Sequence, residues 1–276
     1  MGLSKTAFAK LMLSRTALGR WCRRLPGLEA RYARWALARR DHPGIFSGVY
    51  PDYASAAAAI PAWRSSGWDT AESAAIWIDH IAPVRPSTYP VFFWLQALLQ
   101  PGDTLVDYGG SIGLTYYGYR RRAALPTGSR WVVAEVPHIS AQGRQVAERE
   151  GVSGELQFVD SLETAPQGEL LLAAGALQYM EHSVPGLLEQ LGYRPRHILL
   201  NKLPLTQGSS FWSLQNFGPS VSPYCVYNEA EFLAYFSERG YRLRDRWQVA
   251  ELDCQIPFHP EHGLDSFCGL LLERQD

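Results

Sequence analysis

The sequence predicts an α/β protein with a mainly parallel sheet and helices on both of its faces. Three observations carry this reading. From residue 101 onward, short apolar runs alternate with amphipathic ones, and strand–helix alternation builds parallel sheets. A glycine-rich turn, Gly109-Gly110-Ser111-Ile112-Gly113, joins the first of these runs to the helix after it. Doubly wound sheets receive nucleotide-like ligands at such turns. Finally, 276 residues with 46% hydrophobic and 19% charged content suit one large α/β domain with an appendage.

The expected elements follow in chain order. Residues 1–43 read as a basic, amphipathic helical extension broken at Pro26-Gly27. Residues 44–100 carry prolines between helical stretches at 53–62, 71–81 and 89–100, and read as a helical cap region. Residues 101–276 hold the ligand-binding domain. Its expected strands are 104–108, 130–136, 156–159, 170–174 and 197–200, with late strands at 241–249 and 266–273. Helices are expected at 114–124, 139–150, 184–192 and 229–239. Residues 206–228 read as a polar, aromatic loop, either a lid or substrate wall or a loop packed on the sheet.

Charge is unevenly placed. Residues 1–40 hold ten Lys or Arg and one acid, Glu29, against a net charge of -1 for the whole chain. The body is therefore acidic, which argues against a nucleic-acid binder. The basic helix either lies on an anionic membrane surface or covers one edge of the domain. No apolar run approaches the ~18 residues of a membrane span. Cys22, Cys225, Cys254 and Cys268 show no metal-ligand spacing and read as reduced thiols of a cytoplasmic protein. His259-Pro260-Glu261-His262 lacks further ligands, and its proline argues against a metal site.

The glycine turn selects its ligand. A dinucleotide site wants Gly-x-Gly-x-x-Gly after a neutral strand end. Here Asp107 precedes Gly109 by two residues, and the spacing is Asp-x-Gly-x-x-x-Gly. A carboxylate there repels pyrophosphate and suits a ligand with a cationic ammonium and sulfonium, such as S-adenosyl-L-methionine. Glu135 ends the second apolar run, where an acid binds ribose hydroxyls. Asp160 follows the third run and is expected near the base. Gly175 ends the fourth run, which delivers Gln178, Tyr179 and His182 to the carboxyl edge of the sheet.

These segments, with Asn201-Lys202-Leu203-Pro204-Leu205, Gln215, Tyr224 and Asn228-Glu229-Ala230-Glu231-Phe232, resemble the class I S-adenosylmethionine-dependent methyltransferases. More narrowly, they resemble a methyltransferase family associated with bacterial surface-polysaccharide loci, over roughly residues 44 to 250. The resemblance implies a Rossmann-like class I sheet, S-adenosylmethionine as donor, and O-methylation of a sugar or glycan intermediate. The expected donor site is Asp107, Gly109, Gly110, Ser111, Gly113, Glu135, Asp160 and Gly175. Tyr117, Gln178, Tyr179, Asn201, Lys202, Gln215 and Tyr224 are expected around the acceptor, with His182 as the base for its hydroxyl. A small-metabolite methyltransferase and a non-catalytic donor-binding module remain alternatives, whereas Asp107 disfavours a nicotinamide oxidoreductase.

Overall fold

Apolar side chains that alternate along the inner strands of a central sheet feed two separate cores. In the computed structural model, which describes residues 27–41, 44–76, 83–181 and 186–275 with Thr16 and Leu25, the chain begins with helix α1 (Leu28–Ala38), strand β1 (Ile45–Tyr50), helix α2 (Tyr53–Ala58), strand β2 (Ser65–Ser66) and helices α3 (Ala71–Ala75) and α4 (Thr88–Leu98). The sheet-building region follows: β3 (Thr104–Tyr108), α5 (Leu114–Arg120), β4 (Arg130–Ala134), α6 (Pro137–Arg149), β5 (Leu156–Val159), β6 (Leu170–Ala174), a 3-10 turn (Leu177–Tyr179), α7 (Leu187–Leu191) and β7 (His197–Leu203). Then come β8 (Leu205–Thr206), β9 (Phe211–Asn216), β10 (Ser220–Asn228), α8 (Glu229–Ser237), β11 (Tyr241–Val249) and β12 (Phe267–Arg274).

Seven strands form the main sheet in the order β11-β12-β7-β6-β3-β4-β5. The five strands from β7 to β5 run parallel, and β12 is antiparallel to both of its neighbours. On β3, Val106 joins the core beneath α7 and α8, while Leu105 joins the core beneath α4, α5 and α6. That is the two-residue period of a pleated strand buried on both faces. α6 starts at Pro137, where a missing N–H costs nothing. It buries Ile139, Gly143, Val146 and Ala147, one face at helical spacing.

The chain order reverses between β3 and β6: β3 leads outward to β4 and β5, and the chain then returns to β6 on the other side. A crevice opens at the carboxyl ends of strands at such a switch point.

Two expectations fail here. Residues 206–228 are not a loop. β9 and β10 form an antiparallel pair, to which β1, β2 and β8 add as further strands of a second sheet. β9 and β10 are nearly continuously buried, so the aromatic and polar residues there lacked a visible alternation. The region expected to be a helical cap likewise supplies β1 and β2 to this sheet. The second sheet packs over the turn after β6, where the Tyr227 hydroxyl donates to the Leu177 carbonyl. No helix among the described residues is long and apolar enough to cross a membrane. The basic residues before 27 all lie outside the described residues.

Candidate functional site

The crevice at the switch point is a cavity of about 500 Å³, within the range of small-molecule sites. β3 delivers Tyr108 to Ser111, β4 delivers Glu135, β5 leads to Asp160, β6 leads to Gly175, and β7 delivers Lys202, all of which line it. Tyr53, Trp68, Tyr179 and Ser222 form the wall under the second sheet.

The glycine turn is built by close approach. Gly109 has φ 64, and a Cβ there would meet the Cβ of Ala176 at 2.3 Å. A Cβ on Gly110 would lie 2.5 Å from the Asp107 carboxyl carbon. Ser111 adopts a left-handed φ of 58 although it is not glycine. Its backbone N–H donates to Glu135 Oε1 at 3.1 Å, and its buried hydroxyl has no partner among the described residues.

Glu135 is anchored twice, since Val136 N also donates to its Oε2 at 2.8 Å. Burial pushes its carboxyl up to about 7, against the opposing effect of those two backbone bonds; Asp69 adds to the rise. Each oxygen keeps a free lone pair for a ligand hydroxyl.

Asp107 was expected to face a cationic ligand. It does not line the cavity, because its side chain turns behind the loop. There it is fully buried, and Oδ2 accepts from Trp131 Nε1 at 2.9 Å. Burial raises its carboxyl to about 7, with the indole opposing, Glu135 adding and Lys202 opposing. Gly113 also leaves the cavity and packs against Leu156.

Asp160 lines the cavity near Val136, Ile139 and Leu162. Its Oδ1 accepts from Ser140 and, at 2.9 Å, from Arg144, and these bonds hold its carboxyl below its ordinary value.

Among the residues expected around the acceptor, Tyr179 and Lys202 line the cavity. The Tyr179 hydroxyl donates to Gln215 Oε1, which fixes Gln215 one step behind the wall. Four others are corrected. Tyr117 is buried in the core beneath α5, and its aromatic neighbour is Tyr116. Asn201 is buried and fully committed: its amide donates to Ser87 O at 3.1 Å, and its carbonyl accepts from Trp247 Nε1 at 3.0 Å. Tyr224 is 1% exposed in the core between the sheets. Gln178 is buried beneath the turn after β6 and does not line the cavity. Apolar clusters claimed Tyr117 and Tyr224, and hydrogen bonds to distant segments claimed Asn201. His182 lies outside the described residues.

Tyr53 and Trp68 were not among the residues expected at the site. Trp68 stacks on Phe217 at 3.7 Å and 4°, and meets Tyr179 edge-on at 5.2 Å. These contacts join segments more than a hundred residues apart. Next to Trp68, Asp69 accepts from His138 N at 2.9 Å, which ties this wall to the start of α6.

Among the described residues, the charged lining is Glu135, Asp160, Glu163, Glu181 and Lys202. Four carboxylates against one ammonium favour a cationic ligand. Away from the cavity, His259, Glu261 and His262 bring ligand atoms within 4.8 Å of one another. His259 Nε2 also meets Glu29 at 2.8 Å, so the group pins α1 to the C-terminal segment.

No family model matches the chain, and no curated protein matches it significantly. Solved structures do. The 1,6-didemethyltoxoflavin-N1-methyltransferase of Burkholderia thailandensis, crystallised with 1,6-didemethyltoxoflavin and S-adenosylhomocysteine, is similar at 16% identity and a TM-score of 0.50. The likeness covers 74% of this chain and 83% of that one. The geranyl diphosphate C-methyltransferase of Streptomyces coelicolor is similar at 13% identity and a TM-score of 0.49, over 91% of this chain and all of that one. The fold is thus the Rossmann-like fold of class I methyltransferases.

Proposed function

We propose that the chain is an S-adenosylmethionine-dependent methyltransferase. The observation that carries this is Glu135: a carboxylate fixed by two backbone N–H groups at the end of β4, facing a cavity whose charged lining is mostly acidic. The residues fit the donor. Glu135 would take the ribose hydroxyls, with Ser111 as a spare polar group beside it. Val136, Ile139 and Leu162 would hold the base, with Asp160 at its edge. The glycine turn would let the backbone come close. Asp107 serves from behind by holding the turn in place through Trp131. Bound there, the donor supplies an electrophilic methyl group; the chain's own residues position the acceptor and exclude water.

The acceptor is, in our reading, a hydroxyl of a sugar or glycan intermediate. The sequence resemblance supports this, and so does a lining that combines the aromatic Tyr53, Trp68 and Tyr179 with the carboxylates of Glu163 and Glu181. Aromatic faces cover the apolar side of a sugar while carboxylates accept from its hydroxyls. The deprotonating base is His182 in this reading, since it follows Met180 and Glu181, both of which line the cavity. A small metabolite as acceptor is the second reading. It is favoured by the roof of the second sheet, which limits the room left beside a donor. The basic N-terminal segment is proposed as a peripheral membrane contact that brings the enzyme to a lipid-linked acceptor.

Calorimetry tests the donor. S-adenosylmethionine should bind the wild type and NAD should not. Glu135→Ala should weaken binding by about ten- to a hundredfold, as for lost hydrogen bonds to a charged group. Absence of binding to the wild type would leave the glycine turn as structure only.

A further inference from the structure

We propose that Lys202 is the counter-charge for the α-carboxylate of the donor's methionine moiety, so that the site reads the amino-acid end of the donor as well as its nucleoside. This rests on the donor reading above and assigns Lys202 a partner other than the acceptor.

The first observation is position. Lys202 sits near the end of β7, and Glu135 follows β4. Between these strands lie β6 and β3, so the two residues are three strand spacings apart, about 14 Å at the strand axes. Both side chains line the one cavity. Glu135 and Lys202 therefore bring a carboxylate and an ammonium to the one cavity from opposite sides of the switch point.

The second observation is backbone conformation. Lys202 has φ 57, a left-handed value that costs a non-glycine residue about 1 kcal/mol or more. Gly175, at the end of the neighbouring β6, has φ 91, and a Cβ on it would lie 3.3 Å from Lys202 Cδ. The lysine stem thus runs across a residue without a side chain. The left-handed backbone at Lys202 and the bare glycine together direct the stem over the end of β6.

The third observation is charge. Lys202 is the one basic residue among the described lining. No ion pair or hydrogen bond holds its ammonium among the described residues. Burial lowers its pKa, as does Arg85, while Glu251 and Asp107 oppose. A ligand closing over this ammonium must bring an anion or leave a desolvated charge unpaired. A donor with a sulfonium adds repulsion unless its own carboxylate meets the lysine. That carboxylate is the donor's one anionic group, so the chemistry selects it.

The test compares two nucleosides by calorimetry. S-adenosylhomocysteine carries the amino-acid carbons, and 5′-methylthioadenosine lacks them. The variants are Lys202→Met and Lys202→Gly; glycine relaxes the left-handed backbone, so its fold is secure even if methionine strains it. Thermal melts confirm folding of each. The expected result is that both variants weaken S-adenosylhomocysteine by about tenfold or more and leave 5′-methylthioadenosine unchanged. Lys202→Arg should retain most of the preference. Equal weakening of both ligands would make Lys202 structural and overturn the proposal. No change for either would also overturn it and return Lys202 to the acceptor. If the wild type bound neither ligand, the donor reading itself would fall. If it bound 5′-methylthioadenosine as tightly as S-adenosylhomocysteine, the nucleoside site would stand and the carboxylate site would not.

Discussion

The Asp107 carboxylate accepts from the indole of Trp131 at 2.9 Å, and Gly110 lies directly against that carboxylate. An acid pinned from one side leaves no room for a side chain on the other. Gly110→Ala would place its Cβ 2.5 Å from the Asp107 carboxyl carbon. Neither partner yields cheaply, since Asp107 and Trp131 are both fully buried. Overpacking of this kind costs about 1–3 kcal/mol. Gly110→Ala should therefore lower the thermal midpoint and weaken donor binding through a displaced turn. Gly154→Ala is the control, because nothing lies within 4 Å of its Cβ position. Equal melting of the two variants would count against a rigid turn.

Asn201→Ala should behave as a stability variant. Its amide and carbonyl join Ser87 on the approach to α4 with Trp247 on β11. Removing it strands the buried Ser87 carbonyl and the Trp247 indole N–H, at about 1–3 kcal/mol for a buried unsatisfied group. Urea unfolding should show that loss, while donor affinity of the folded variant stays at the wild-type value. A large affinity change with unchanged stability would mean that Asn201 reaches the ligand after all.

What the sequence made legible was local. The Asp-x-Gly spacing, Glu135 after an apolar run and Gly175 after another each follow from a strand ending at the same sheet edge. Asp107 was legible as an acid but not in its role, because its partner Trp131 stands on the adjacent strand. Asn201 and Tyr224 read as polar site residues because burial by distant segments leaves no mark nearby. The second sheet was hidden for the same reason: β1 and β9 pair Ile45 with Asn216, and no short-range pattern announces that contact. His182 stays a sequence proposal.

Asn216 joins α1 to this second sheet. Its Nδ2 donates to Ala36 O at 2.6 Å and Arg39 O at 2.7 Å, both at the end of α1, while its Oδ1 accepts from Arg64 and Gly218 N. Asn216→Ala removes these hydrogen bonds, two of them to the end of α1, and should loosen α1 before it loosens the main sheet. Limited proteolysis should then cut near residues 39–44 faster than in the wild type, with the core fragment resistant. Unchanged cleavage would show that α1 is held by its apolar contacts alone.

The two acids at the turn set a pH dependence. Asp107 and Glu135 are both raised to about 7, chiefly by burial, whereas unfolded carboxylates titrate near ~4. Between those values the folded chain binds more protons than the unfolded one, so stability falls as pH rises. The contribution is complete below the unfolded pKa and lost as pH rises through about 7. The thermal midpoint should therefore decline between about pH 4 and 7 and level off above it, and Glu135→Gln should flatten part of that decline. Donor affinity should run the other way. A ligand hydroxyl donating to Glu135 favours the ionised carboxylate, so S-adenosylhomocysteine should bind more tightly as pH rises through the same window. Glu135→Gln should remove that dependence. A wild-type affinity flat across the window would mean that the ribose does not rest on Glu135, while a flat midpoint would mean that neither acid is held neutral in the folded chain.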